Sequence, residues 1–274
     1  MRKINNQEFK RPTRRSLIAA LSLTVLMGVT SGVQAQVKRV PTVAMLEFSV
    51  VPLSSSPAIL GRAATDAVVL EMTRTGRFDS IPRAQMEQQI KASDLTLPLS
   101  PNEVQRLGQA IGSDYVAYGE ITEISFTENP RRARVTLAVR LTDIQTGELA
   151  NGAIQIGSSS VKTKAIDEDT LIQQAITDAA FSVVREMNNY KPAEATVLLV
   201  RGGAEVNLNQ GSRDGISRGQ EMVVMRGGRY VGRIRVSSVG DTDSRAEVRE
   251  GGNGIRPEDR ARAIFKMPKA PKRP

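Results

Sequence analysis

The segment 133–143 alternates apolar and polar residues so regularly that we predict a β-strand with one face against a core. The apolar positions that share this face are Ala133, Val135, Leu137, Val139 and Leu141. Two neighbouring segments, 115–126 and 148–160, are also strand-like and are joined to it by turn sequences. One-sided alternation is typical of an antiparallel meander, and its apolar face needs amphipathic helices to cover it.

Four helices are predicted in this part of the chain, and the first and the last of them are expected to cover the apolar face of the sheet. The first begins at Ser56-Pro57, where serine and proline take the favoured N-cap and first-turn positions. The second begins at Pro82, and the third begins at the capping box Ser100-Pro101-Asn102-Glu103. The fourth has the clearest apolar stripe, which consists of Leu171, Ile172, Ala175, Ile176, Ala179, Ala180, Val183, Val184 and Met187. We interpret the acidic residues 167–169 at its start as helix capping rather than as a metal site.

From residue 193 onward the sequence changes to short strands that are separated by glycine-rich turns. The candidate strands are 196–200, 206–208, 221–226, 229–239, 244–249 and 262–265. This spacing predicts a small closed or nearly closed β-barrel. The predicted fold class is therefore an α/β (α+β) domain with a mixed sheet covered by helices, followed by a small all-β SH3-like barrel domain.

The net charge of +9 does not indicate a nucleic-acid partner. Six basic residues and one acid precede residue 36, and four more basic residues lie in the last nine positions. Residues 36–265 are therefore neutral overall, whereas phosphate binding needs basic side chains clustered on one surface.

The basic start is typical of an export signal. Arginines precede an apolar stretch at 17–27, which is shorter than the roughly 20 residues of a membrane-spanning helix. Val33-Gln34-Ala35 before Gln36 fits a signal-peptidase site, so we predict cleavage between Ala35 and Gln36. The Arg14-Arg15 pair resembles a twin-arginine signal, and the export route is left open. We expect a periplasmic protein, and an association with the outer membrane is left open.

These patterns predict four parts of the chain. They are a signal peptide at 1–35, an α/β domain at 36–190, a glycine-rich barrel at 193–265 and a basic tail at 266–274. The tail has too few apolar residues to bury a core, so we expect it to be disordered.

The composition excludes several kinds of catalytic site. The chain has no cysteine and no histidine, which excludes thiol nucleophiles, Cys/His zinc sites and Ser-His-Asp triads. Glycine pairs such as Gly227-Gly228 precede strand-like sequence rather than a helix, so they are interpreted as turns and not as phosphate loops. We expect no enzyme, no metal and no cofactor, although carboxylates could still converge in the folded chain.

The order of short segments in the first domain resembles the curli-secretion CsgG family. These segments are VAMLEF at 43–48, GRFDSIPR at 76–83, LGQAIGSDY at 107–115, YGEITE at 118–123 and LTDIQTGE at 141–148. A related domain occurs in penicillin-binding-protein activators and in the flagellar assembly T protein. Segments 206–211, 215–220 and 246–248 resemble the C-terminal barrel of that flagellar protein.

The resemblance implies an exported, non-enzymatic accessory protein that acts through contacts with envelope proteins of secretion, flagellar or cell-wall machinery. A homo-oligomer and a peripheral membrane association are left open. One alternative is an oligomeric outer-membrane secretion pore, which requires the meander strands to meet lipid. A further alternative is a periplasmic small-ligand binder or hydrolase that uses a crevice beyond the strand ends of the first domain.

Overall fold

The computed structural model describes residues 39–51, 56–161, 167–251 and 254–270. From Arg39 onward, the described residues form one compact unit. The predicted signal peptide, including the cleavage pair Ala35 and Gln36, lies outside the described residues.

The first domain is a mixed sheet with helices on both faces. Its strands are β1 (Thr42–Met45), β2 (Ser49–Val50), β3 (Asp79–Ser80), β4 (Tyr115–Glu128), β5 (Arg131–Asp143) and β6 (Leu149–Ser158). Its helices are α1 (Pro57–Arg74), α2 (Arg83–Ala92), α3 (Pro101–Ile111) and α4 (Glu168–Asn189). The strand order is β3-β1-β4-β5-β6, and β2 pairs with β4. Strand β1 is parallel to β3 and β4, whereas β4, β5 and β6 form the predicted antiparallel meander.

Helices α1 and α4 cover the apolar face of the meander. All nine residues of the predicted α4 stripe are buried, and they pack against Val135, Leu137 and Val139 of β5, which are 0% exposed. Because burial of such side chains is the main favourable contribution to folding, the helix stripe and the meander stabilise each other. The prediction that helices cover the apolar face of the meander is therefore confirmed. The lipid contact that a secretion pore requires is absent at these side chains.

Part of the second face of the sheet is buried as well, which the one-sided alternation did not predict. Helices α2 and α3 cover it beside β1 and β4 with an apolar cluster of Ala44, Leu46, Met86, Val104, Leu107, Val116 and Ile144. The opposite face of β5 is also closed locally, since Thr136 and Ala138 are 7% and 1% exposed.

The capping signals of α3 and α4 form as predicted, whereas the Ser56 side chain at the start of α1 makes no cap hydrogen bond. The Ser100 hydroxyl accepts a hydrogen bond from the Glu103 amide, and the Glu103 carboxylate accepts one from the Ser100 amide at 2.7 Å. At the start of α4, Asp167 accepts hydrogen bonds from the amides of Asp169 and Thr170. Residue Asp167 is thus a helix cap, as interpreted from the sequence.

Strand β6 lies very close to α4 at Gly157. A Cβ atom at this position would overlap the amide nitrogen of Ala179 and the carbonyl oxygen of Ala175. Both of these atoms belong to the backbone of α4, so they cannot move aside as a flexible side chain could. The close approach of β6 and α4 therefore depends on glycine.

The second domain is a closed barrel with the strand order β10-β11-β8-β7-β12-β9. Its strands are β7 (Glu194–Arg201), β8 (Glu205–Leu208), β9 (Glu221–Arg226), β10 (Arg229–Val239), β11 (Ser244–Glu250) and β12 (Arg260–Ala263). Its core contains Val206, Leu208, Met222, Val224, Ile234 and Ala261, each fully buried. Gly227 and Gly228 join β9 to β10 with φ angles of 54° and 83°, which confirms them as turn residues.

The last strand begins and ends two residues earlier than predicted. Strand β12 is Arg260–Ala263, whereas the sequence pattern indicated 262–265. The amide of Ile264 still donates to the Glu221 carbonyl of β9 at 2.9 Å, but the Phe265 amide donates to the Leu149 carbonyl of the first domain at 3.1 Å. The Phe265 ring packs edge-on against the Tyr190 ring, with the ring centres 4.8 Å apart. The Phe265 side chain therefore packs at the junction between the two domains and not in the barrel core.

The chain enters and leaves the barrel at neighbouring positions. The amide of Ala263, at the end of β12, donates to the carbonyl of Ala193, just before β7, at 2.9 Å. A salt bridge between Arg233 of the barrel and Glu148 of the first domain lies at the same junction. Within the described ranges, no helix is both long and apolar enough to cross a membrane.

Candidate functional site

A cleft of about 630 Å³ lies where the first domain meets the barrel. Its volume is within the range of small-molecule binding sites. The cleft is lined by Arg39, Asp114, Tyr115, Asp143 and Gln145 from the first domain, and by Glu194, Met225, Gly227, Gly228, Arg229, Arg260, Ala261 and Arg262 from the barrel side. Four arginines and three acidic residues thus meet in one space.

One ion pair belongs entirely to the first domain. The guanidinium of Arg39 donates to both oxygens of Asp114, at 2.9 Å and 2.5 Å. Asp114 also accepts a hydrogen bond from the Thr42 amide at 2.8 Å. Burial raises the pKa of Asp114, but the hydrogen bonds from Thr42 and Arg39 outweigh it, so the pKa lies below its ordinary value. Asp114 is therefore ionised, and both of its carboxylate oxygens already accept hydrogen bonds from Arg39.

A second ion pair joins the two domains across the cleft. Arg262 of β12 donates to Asp143, the last residue of β5, at 2.7 Å, and the carboxylate is 9% exposed. Burial lowers the pKa of Arg262, but its contacts with Asp143 outweigh that effect and raise the pKa. The neighbouring Tyr115 has a raised pKa because it is buried and lies near Asp143. Asp143, Arg262 and Tyr115 therefore form a closed polar network in the cleft wall.

The barrel side also provides arginines that have no partner. The side chains of Arg229 and Arg260 are exposed and form no ion pair or hydrogen bond with any residue that the structure describes. Arg260 lies opposite Met225 of β9, whereas Arg229 lies opposite Arg226, the next residue of β9. Because successive residues of a strand point to opposite faces, the register places the two arginines on opposite faces of the barrel sheet.

This chemistry is suited to holding anions rather than to catalysis. Guanidinium groups donate bidentate hydrogen bonds to carboxylates and phosphates. The described residues contain no cluster of three or more His, Cys, Asp or Glu that could hold a metal ion. The cleft lies beside Tyr115, at the start of β4, and beside Asp143, at the end of β5.

Sequence reasoning did not find this cleft. Its only candidate site residues were Ala35 and Gln36, which lie outside the described residues. A local signal was present in Arg260-Ala261-Arg262, because alternate residues of a strand share one face. The partners Arg39, Asp114 and Asp143 are far away in the chain, and only the fold brings them to this strand.

Comparison with solved structures finds neighbours of low similarity. The LpoB C-terminal domain from Salmonella enterica is 15% identical, with 43% of this chain and 82% of that chain covered and a TM-score of 0.32. Lipoprotein GNA1162 from Neisseria meningitidis is 18% identical, with coverage of 55% and 99% and a TM-score of 0.38. A PelC dodecamer from Paraburkholderia phytofirmans is 13% identical, with coverage of 55% and 89% and a TM-score of 0.35. No curated protein matches the sequence.

A family model gives the assignment. The model of the peptidoglycan-synthase activator LpoB matches residues 4–150, which is more than half of the chain. The resemblance to the CsgG family, and with it the curli and flagellar interpretation, is therefore wrong. The chain belongs to the family of the peptidoglycan-synthase activator LpoB, and it is a non-enzymatic accessory protein of the cell envelope.

Proposed function

We propose that this protein is exported to the periplasm and activates a peptidoglycan synthase by binding to it. The observation that carries the proposal is the match to the activator family over residues 4–150. The structure supports a role in binding, because the protein's own helices cover the apolar face of the meander and no Ser, Thr, Cys or Lys is among the residues that line the cleft. The mature chain is proposed to begin at Gln36.

A reconstitution tests this function. We expect the purified exported protein to increase glycan polymerisation and cross-linking by a purified peptidoglycan synthase from the same organism. The measurement is the rate of product formation with and without the protein, at a fixed amount of synthase. An unchanged rate across a titration of the protein, together with no complex in a pull-down, would refute the proposal.

We propose that the synthase binds to the outer face of α1 and α4. Three large apolar side chains of these two adjacent helices are half exposed or more, namely Ile59 at 63%, Leu70 at 51% and Phe181 at 50%. The guanidinium of Arg185 lies 5.5 Å from the centre of the Phe181 ring. Aromatic residues and arginines are the side chains that most often dominate binding at protein interfaces.

Replacing Phe181 with alanine is expected to weaken synthase binding by at least about tenfold, because exposed aromatic anchors bury a large apolar area on binding. The variant should keep its thermal stability, since the side chain is half exposed in the free protein. The measurement is the dissociation constant for the synthase.

Leu198→Ala provides the matched control, because Leu198 is 56% exposed but lies on β7 of the barrel. Equal affinities of the Phe181→Ala and wild-type proteins would exclude this face. A loss of binding in the Leu198→Ala variant alone would place the interface on the barrel.

A further inference from the structure

We propose that the outer face of the meander, beside the turn between β4 and β5, binds a phosphate group. The side chains that hold it are Arg132 and Arg134, near the start of β5. Asp143, which lies in the cleft at the barrel, is at the other end of the same strand, so the two places are distinct. The proposal goes beyond the proposed function and does not depend on it.

The two arginines lie on the same face of the sheet. They flank Ala133, whose side chain is fully buried in the core that α4 covers. Because successive residues of a strand point to opposite faces, Arg132 and Arg134 both lie on the face away from α4. The apolar cluster of α2 and α3 on that face reaches β4 only near its beginning, at Val116. The two arginines are about 7 Å apart along the strand, so both guanidiniums can reach one anion.

Hydroxyl groups flank Arg134 on both sides. The strand register places Ser125 of β4 and Ser158 of β6 directly opposite Arg134. Paired residues of adjacent strands share a face, and the strands are about 4.8 Å apart. Neither hydroxyl forms a hydrogen bond with a residue that the structure describes. One guanidinium is therefore placed between two hydroxyls that are available to a ligand.

The protein's own acidic residues neutralise neither arginine. Arg132 and Arg134 form no ion pair or side-chain hydrogen bond within the described part of the chain, and the Nε atom of Arg132 is buried without an acceptor. By contrast, Arg140 on the same face of β5 pairs with Glu120 at 2.9 Å. Two unpaired cations this close repel each other, and an anion bound between them replaces the repulsion with attraction.

A phosphate group fits this set of donors better than a carboxylate does. One guanidinium satisfies both oxygens of a carboxylate, as Arg39 does with Asp114. Here two guanidiniums and two hydroxyls lie side by side on one face, and together they need an anion with more acceptor oxygens. Phosphate carries several strong acceptor oxygens around one centre, and arginine binds it with paired hydrogen bonds.

Calorimetry with inorganic phosphate tests the proposal. We expect the full exported protein to bind phosphate, and the double variant Arg132→Ala/Arg134→Ala to have a dissociation constant at least about tenfold higher, since it loses charged hydrogen bonds. Ser158→Ala keeps both arginines and should raise the constant about threefold, because one neutral hydrogen bond is lost. Arg140→Ala is the matched control and should leave binding unchanged, since Glu120 already pairs with that guanidinium.

Flotation with vesicles identifies the source of the phosphate. If vesicles of phosphatidylglycerol and phosphatidylcholine bind the wild type but not the double variant, the site holds a lipid headgroup. If inorganic phosphate binds and these vesicles do not, the site holds free phosphate or a soluble phosphate ester. Either result supports a phosphate site at the two arginines.

Other results would overturn the proposal. It fails if neither probe binds, or if the double variant binds both probes as tightly as the wild type does. It also fails if acetate competes as well as phosphate, because a carboxylate then fits the site equally. If the double variant loses the synthase in a pull-down while the wild type binds neither probe, the arginines hold an acidic segment of the synthase instead.

Discussion

Replacing Asp259 with alanine is expected to lower the free energy of unfolding by about 3 kcal/mol. The Asp259 side chain is 2% exposed and accepts two hydrogen bonds from the Arg226 guanidinium, at 2.7 Å and 2.8 Å. It also accepts one from the Arg256 amide at 2.7 Å. The substitution leaves the Arg256 amide and the Arg226 Nε without this acceptor, and it removes a carboxylate that is almost completely buried, so the loss exceeds that of a surface ion pair. Urea unfolding monitored by circular dichroism measures it.

The matched control is Asp241→Ala. Asp241 pairs with Arg213 at 3.1 Å, but both side chains are more than 70% exposed. Exposed pairs contribute little, so this variant should stay within about 0.5 kcal/mol of wild type. Equal changes in the free energy of unfolding would show that the Asp259–Arg226 pair stabilises the barrel no more than an exposed pair does.

Asp259 also makes the stability of the barrel depend on pH. Burial raises the pKa of Asp259, but the hydrogen bonds from Arg226 and Arg256 outweigh it, so the pKa in the folded protein lies below that of the unfolded chain. The stabilisation is therefore complete above about pH 4 and is lost as the pH falls through the folded pKa. In the Asp259→Asn variant, the free energy of unfolding should fall less steeply below pH 4 than in wild type. Parallel curves would contradict this assignment.

Replacing Gly157 with alanine is expected to destabilise the first domain by about 3 kcal/mol or more. The added methyl group would overlap the backbone of α4 at Ala175 and Ala179, so the whole helix must move away from β6. Since α4 buries nine apolar side chains on the sheet, this shift opens the core along its length. Thermal unfolding monitored by circular dichroism should show a transition many degrees lower.

Ser158→Ala is the control for this substitution. Ser158 is the next residue of β6, and only its backbone amide is bonded, to Asp178 at 2.8 Å. If Ser158→Ala changes the free energy of unfolding by more than about 1 kcal/mol, then β6 is sensitive to any substitution near its end. In that case the destabilisation by Gly157→Ala could not be assigned to the close approach of α4.

Much of the fold could be predicted because its signals are local. The α4 stripe repeats at helical spacing, the β5 residues alternate, and Ser100-Glu103 forms a capping box within four residues. The limits of β12 were predicted wrongly because Phe265 has strand-like hydrophobicity but packs at the junction instead. Hydrophobicity alone does not say which of two cores a residue joins.

The cleft could not be predicted because no short segment contains it. Asp143 and Arg262 are 119 residues apart in the chain, and their contact depends on how the barrel meets the first domain. The family assignment failed for a different reason. Segments such as 43–48 and 107–115 encode a buried strand and a helix end, features that related families of one fold share.

The neighbouring positions of Ala193 and Ala263 have a consequence for how such proteins can diversify. Because the barrel's two ends are hydrogen-bonded to each other, the chain leaves the first domain and returns to it at neighbouring points. We expect another small module with closely spaced termini to replace the barrel while Phe265 keeps its place beside Leu149 and Tyr190. One α/β scaffold can in this way acquire different attachments during evolution.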